Sequence, residues 1–100
     1  MHKLLVLYPE PQNRQTFKEY YESVHLPLAA KMPGLISWRY SLGVASEESP
    51  APYFAVYEAD FDSLEAMGKA LSSPEGQAVQ ADVPNYATGG AKVLHYEVAS

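Results

Sequence analysis

Two runs decide the fold: Leu35-Ile36-Ser37-Trp38-Arg39-Tyr40-Ser41-Leu42-Gly43-Val44 and Tyr53-Phe54-Ala55-Val56-Tyr57-Glu58-Ala59-Asp60-Phe61. In the first, Ile36, Trp38, Tyr40 and Leu42 fall on one side and Ser37, Arg39 and Ser41 on the other. That period of two is the mark of a half-buried strand. In the second, Tyr53, Ala55, Tyr57 and Ala59 alternate with Phe54, Val56, Glu58 and Asp60, which predicts another strand. The segment between them, Ala45-Ser46-Glu47-Glu48-Ser49-Pro50-Ala51-Pro52, is polar and proline-bearing and reads as a hairpin loop.

Toward the N-terminus, Leu4 to Tyr8 is a short apolar run closed by Pro9 and Pro11, a further strand. Asn13 is a helix cap, and Phe17, Tyr20, Tyr21, Val24 and Leu28 follow at spacings of three and four, one helical stripe. Pro27 has no amide hydrogen for the carbonyl of Ser23 and pushes Leu26 from helical angles, so the regular helix is predicted to end near His25. An irregular turn, 28–32, and Pro33-Gly34 follow. Toward the C-terminus, Asp62-Ser63-Leu64-Glu65 fits a capping box with Asp62 as the cap, and Leu64, Met67 and Leu71 form the stripe of a second helix. Ser73-Pro74-Glu75 starts a further short helix, and Val93 to Val98 is the last strand. The order β-α-β-β-α-β predicts an α+β, ferredoxin-like sandwich: a four-stranded antiparallel sheet with helices on one face. Residues 1–100 are read as one domain.

Composition narrows the function. The chain has no cysteine, which excludes disulfides, a thiolate nucleophile, a thiolate zinc site and a cysteine-ligated iron–sulfur cluster. Its net charge is -5 and its seven lysines and arginines are scattered, which argues against nucleic acid and anionic membrane as partners. The N-terminal apolar stretch is too short for a signal sequence, so a cytoplasmic setting is expected. His2 and His95 fall on strands that this fold makes neighbours, with Glu97 beside them. They lack metal-ligand spacing and read as a solvated cross-strand pair, so no metal site is expected.

The sheet has apolar residues on both faces: Leu4 and Val6 against Leu5 and Leu7, and Val93 against Leu94, Tyr96 and Val98. Helices cover only one face, and each large side chain left wet forgoes roughly 1.5–3 kcal/mol. Packing of the open faces of two subunits, a homodimer, is therefore expected.

His25 is the candidate catalytic residue. It falls in the last turn of the first helix, and its imidazole titrates near neutral pH. A histidine that merely caps the helix is the alternative. Tyr21, Trp38, Tyr40 and Tyr57, with Met67, are candidates to line a small apolar pocket with hydroxyl donors, and core packing is their alternative role. There is no phosphate loop, dinucleotide fingerprint or nucleophile elbow.

The segment Phe17-Lys18-Glu19-Tyr20-Tyr21-Glu22-Ser23-Val24-His25-Leu26-Pro27-Leu28 resembles the Phe…Tyr…His-x-Pro-Leu helix end of the EthD family. Pro33-Gly34-Leu35, Trp38-Arg39-Tyr40 and Ser73-Pro74-Glu75-Gly76 resemble later parts of the same pattern. The resemblance implies a ferredoxin-like subunit, a homodimer whose two sheets form an α/β barrel, and a bacterial cytoplasmic setting. Relatives of similar fold include lactone isomerases, polyketide cyclases, cofactor-free oxygenases and haem-degrading enzymes. In isomerase-like relatives a histidine matching His25 lies at the substrate pocket. The first reading is thus a protein that binds a small, largely apolar carbonyl, lactone or phenolic compound without a cofactor. His25 would be its general acid/base, of isomerase, cyclase or dehydratase type. The alternative is a non-catalytic binding or accessory protein of a degradative oxygenase system. A third reading is a haem or cofactor-free oxygenase of the same barrel type, with His25 as the axial ligand of any haem.

Overall fold

Alternation along β1 (His2–Tyr8) puts His2, Leu4, Val6 and Tyr8 on one side and Lys3, Leu5 and Leu7 on the other. The computed structural model describes residues 1–47 and 49–99. In it β1 lies inside a four-stranded antiparallel sheet of order β2-β3-β1-β4, with β2 spanning Ser37–Ser41, β3 Ala55–Phe61 and β4 Lys92–Glu97. The register pairs Leu4 with Ala59 and His95, and Val6 with Tyr57 and Val93. The helices therefore meet a surface of Leu4, Tyr8, Ala55, Tyr57, Ala59 and Phe61, all buried. This is the expected α+β, ferredoxin-like architecture. Strands β2 and β3 are shorter than the alternating runs because residues 42–47 and 49–54 are not in the ladder.

Asn13 caps α1 (Arg14–Tyr20), its Oδ1 accepting from the amide of Thr16 at 2.9 Å. The helix does not end at His25. It widens into a π-helical turn over Tyr21–His25, closed by a bond from the Leu26 amide to the Tyr21 carbonyl, and continues as α2 (Leu26–Ala29). Pro27 sits in the first turn of α2, where a missing amide hydrogen matters least. Widening the turn accommodates the proline ring without breaking the helical path, and such turns recur at functional sites.

The second helical region is α3 (Leu64–Ser72) and α4 (Pro74–Asp82), followed by a 3-10 turn, Val83–Asn85. The α3 cap is Ser63, whose Oγ accepts from the Ala66 amide at 3.0 Å, and not Asp62. Ser63 is the extended residue just before the first helical one, so its hydroxyl is the group in reach. Ser73 joins the two helices: its hydroxyl donates to the Ala70 carbonyl at 2.6 Å and accepts from the Gly76 amide at 3.0 Å. Gly76 lets them touch, because a Cβ there would lie 2.0 Å from the Ala70 carbonyl oxygen. Gly76→Ala is expected to destabilise the fold by more than about 2 kcal/mol in urea denaturation, since backbone is what must yield.

The other face of the sheet is mixed. Leu5, Leu7 and Val56 are half-buried and Leu94 and Tyr96 exposed, an apolar stripe over β3, β1 and β4. Toward β2, Lys3 Nζ lies 2.9 Å from Glu58 and 3.5 Å from Asp60, which also accepts from the Ser37 hydroxyl at 2.9 Å. No helix among the described residues is long and apolar enough to cross a membrane.

Candidate active site

The π-helical turn stacks two of its own side chains, Tyr21 and His25, with ring centroids 5.3 Å apart and planes 18° from parallel. Tyr86, just after the 3-10 turn, lies against the imidazole at 4.5 Å. The imidazole is thereby held rigidly and is only 4% exposed. Its Nδ1 is 2.9 Å from Oδ2 of Asp82, the last residue of α4. The other carboxylate oxygen, Oδ1, accepts from the Tyr20 hydroxyl at 2.5 Å and from the Asn85 amide at 3.0 Å.

Four elements thus converge on one carboxylate, and the electrostatics follow. Burial alone works to raise the pKa of Asp82. Hydrogen bonds from Tyr20, Asn85 and His25 outweigh it and hold the carboxyl below its usual value. Asp82 is therefore ionised and can only accept, so the His25 Nδ1 carries the proton of their bond. Burial pushes the imidazole below its ordinary value, and the opposing attraction of Asp82 does not restore it. At neutral pH His25 is the uncharged Nδ1–H tautomer. Its Nε2 lone pair makes no hydrogen bond among the described residues.

His25 lines a cavity of about 320 Å³ between the sheet and the helices. The walls are mostly apolar, with Leu4 and Val6 from β1, Met32 after α2, and Val79 and Val83 from the α4 end. Tyr8 and Tyr57 are the tyrosines of the lining. The Tyr8 hydroxyl lies 2.7 Å from that of Tyr86, whereas the Tyr57 hydroxyl is buried with no partner. Burial raises the pKa of Tyr8 and Tyr57, so both remain protonated donors at neutral pH. A neutral imidazole nitrogen and an unpaired hydroxyl beside an apolar chamber suit proton transfer at a compound that also carries an acceptor oxygen.

Of the sequence-predicted site residues, His25 and Tyr57 line this cavity. Tyr21 is fully buried behind His25 and supports the ring without reaching the chamber. Trp38 and Tyr40 lie outside it, because β2 is an edge strand and α3 packs on β1 and β3. Trp38 instead stacks between Tyr40 and Tyr57 at 6.2 Å from each, and the Tyr40 hydroxyl donates to Glu22 at 2.6 Å. Met67 is buried in the core, and Leu71, one turn further along α3, takes the place at the wall. The sequence reading missed Asp82. Its signal was an acidic residue at the C-terminal end of a helix, where the helix dipole disfavours negative charge.

His2 and His95 meet diagonally across the β1–β4 ladder, with His2 Nε2 2.8 Å from His95 Nδ1. His2 is buried and not solvated as expected, because it sits on the helix-facing side of the sheet. No group of three or more metal-ligating side chains forms among the described residues.

Comparison with known proteins agrees with this architecture. The EthD domain family model matches residues 9–90. An uncharacterized 11.0 kDa protein in the thcB–thcC intergenic region of Rhodococcus erythropolis is 32% identical over 94 residues, covering 94% of this chain and 91% of the relative. The crystal structure of an EthD family protein from Bacillus halodurans superposes with a TM-score of 0.92 at 29% identity, covering 99% of each chain. A dimeric ferredoxin-like protein of unknown function from Jannaschia superposes with a TM-score of 0.69 at 20% identity over 97% of each chain, a likeness of fold. With a family match over most of its length and a relative of this similarity, the chain belongs to the EthD family.

Proposed function

We propose that the protein binds a small, largely apolar carbonyl, lactone or phenolic compound between sheet and helices, and that His25 acts on it as a general base. The observation that carries this reading is the His25–Asp82 pair, 2.9 Å apart, at the wall of an apolar cavity. Asp82 fixes the tautomer and stabilises the imidazolium formed when Nε2 takes a proton. Tyr57 donates to the oxygen on which negative charge develops. Returning the proton to a different atom gives isomerisation. Returning it to a leaving hydroxyl gives dehydration. No cofactor is needed for either, and the reading includes a bacterial cytoplasmic setting. The test is a panel of lactones, enolisable ketones and phenols assayed with wild type and His25→Gln. Turnover lost in the variant supports the assignment, and turnover that survives defeats it. Tight binding without turnover in either protein would instead indicate a carrier.

The same reading includes a homodimer formed through the open sheet face. The apolar stripe of Leu5, Leu7, Val56, Leu94 and Tyr96 supports it, as does the dimeric state named for the Jannaschia protein of the same fold. Sedimentation equilibrium is expected to give twice the 11.0 kDa chain mass. Leu94→Glu, which places a charge in the stripe, is expected to weaken association by at least about tenfold. A wild type sedimenting as single chains at micromolar concentration contradicts the dimer.

A further inference from the structure

We infer that the cavity takes an uncharged compound with an enolisable carbonyl or phenolic group and turns away the carboxylate of the same carbon skeleton, an inference that rests on reading the cavity as a ligand site. Three observations carry it. The first is charge. None of the seven lysines and arginines lines the chamber. Lys3 is engaged with Glu58 on the opposite face of the sheet, and Arg14 and Lys69 pair with Glu10 and Glu65 on the outer surface of the helices. Lys92 is beside the wall residue Val93 in sequence, but alternation along β4 puts it on the other face. The nearest fixed charge to a ligand at His25 is thus the Asp82 carboxylate, which repels an anion, and the apolar walls give that anion no solvation.

The second is the pattern of polar groups. Beside His25, the polar lining residues are Tyr8, Tyr57 and Gln80. Gln80 spends its amide hydrogens on the carbonyls of Leu71 and Gly76, tying α3 to α4. Tyr57 is a lining residue whose buried hydroxyl has no partner, the one uncommitted neutral donor beside the chamber for a single acceptor oxygen. A carboxylate asks for two to four donors and finds one. The third is the basic nitrogen. With Nδ1 committed to Asp82, Nε2 meets a ligand as an acceptor, so it favours an acidic C–H or O–H and disfavours a lone pair. One donor and one acceptor on an apolar body describe an enolisable ketone or a phenol bearing a neighbouring carbonyl.

The test is calorimetric titration at pH 7.5 with two probes of matched shape, 2-acetylnaphthalene and 2-naphthoate. The ketone is expected to bind at least about tenfold tighter than the carboxylate. Val93 lies on the rim and is 59% exposed, so Val93→Lys leaves the fold intact while adding a cation. That variant is expected to raise the affinity for the carboxylate relative to the ketone by about tenfold. Tyr57→Phe is expected to weaken the ketone about fivefold without lowering thermal stability, since no bond within the protein is lost. Wild type that binds 2-naphthoate as tightly as the ketone overturns the inference and leaves the ligand site standing. Failure of both probes to bind, in wild type and in Val93→Lys, overturns the ligand site itself.

Discussion

His25→Gln is expected to lower kcat/KM by about 10²–10⁴-fold toward any compound the protein converts, the range for loss of a positioned general base. Glutamine keeps most of the volume between Tyr21 and Tyr86 and can still donate to Asp82, so the fold survives and the loss reads on chemistry. The pH dependence separates this from a packing effect. Burial lowers the imidazole pKa, so wild-type kcat/KM is expected to rise along an acidic limb lying below pH 6.5 and to level above it. Asp82→Asn removes the attraction that opposes burial. The limb is then expected to move to still lower pH while the plateau falls by up to about 10⁴-fold, because an asparagine whose oxygen accepts from Tyr20 and Asn85 turns its NH2 toward Nδ1 and favours the wrong tautomer. The same shifts govern stability. His25 and Asp82 both have lower pKa values folded than unfolded. Each contributes stability that is present above its unfolded value and lost as pH falls through its folded one. His25 acts first on acidification, below about pH 6.5, and Asp82 follows below about pH 4. Activity of Asp82→Asn with an unmoved limb would contradict this coupling.

Phe17→Ala is expected to destabilise the protein by about 3–5 kcal/mol, a large share of the roughly 5–15 kcal/mol available to a domain of this size. Phe17 lies on the inner face of α1, 2% exposed, with its ring centroid 5.1–5.3 Å from those of Tyr8, Tyr21, Phe54 and Tyr86. Three of these contacts are edge-on, the preferred arrangement for aromatic quadrupoles. Tyr8, Tyr21 and Tyr86 also place the groups around His25, so a cavity at Phe17 is expected to loosen the site as well as the core. Should the alanine variant fail to fold, Phe17→Leu, which keeps most of the volume, is expected to cost less and remain measurable by urea denaturation. A cost under about 1 kcal/mol for Phe17→Ala would contradict the hub role.

Period-two alternation at Trp38–Tyr40 and Tyr53–Phe61 made the hairpin legible, and the stripe Phe17-Tyr20-Tyr21 made the first helix legible, because both reflect burial on one side. The edges were less so. Pro27 read as a helix stop, since from sequence a proline removes a hydrogen bond. The widened turn that absorbs it depends on the packing of Tyr21 and His25 against Tyr86. His25 stood out because one imidazole followed an aromatic stripe, whereas Asp82 lies 57 residues away and meets it only when α4 docks. As aromatics on strands, Trp38, Tyr40 and Tyr57 suggest one pocket lining. That the helices cover β1 and β3 and leave β2 at the margin is a tertiary fact that alternation does not encode.

A nitrogen-15 NMR titration of the His25 ring reads both its tautomer and its protonation directly. An Nδ1–H tautomer is expected at neutral pH, with Nε2 unprotonated, and a midpoint below 6.5 that falls further in Asp82→Asn. A ring protonated at Nε2, or one that titrates above 6.5, would contradict His25 as the general base.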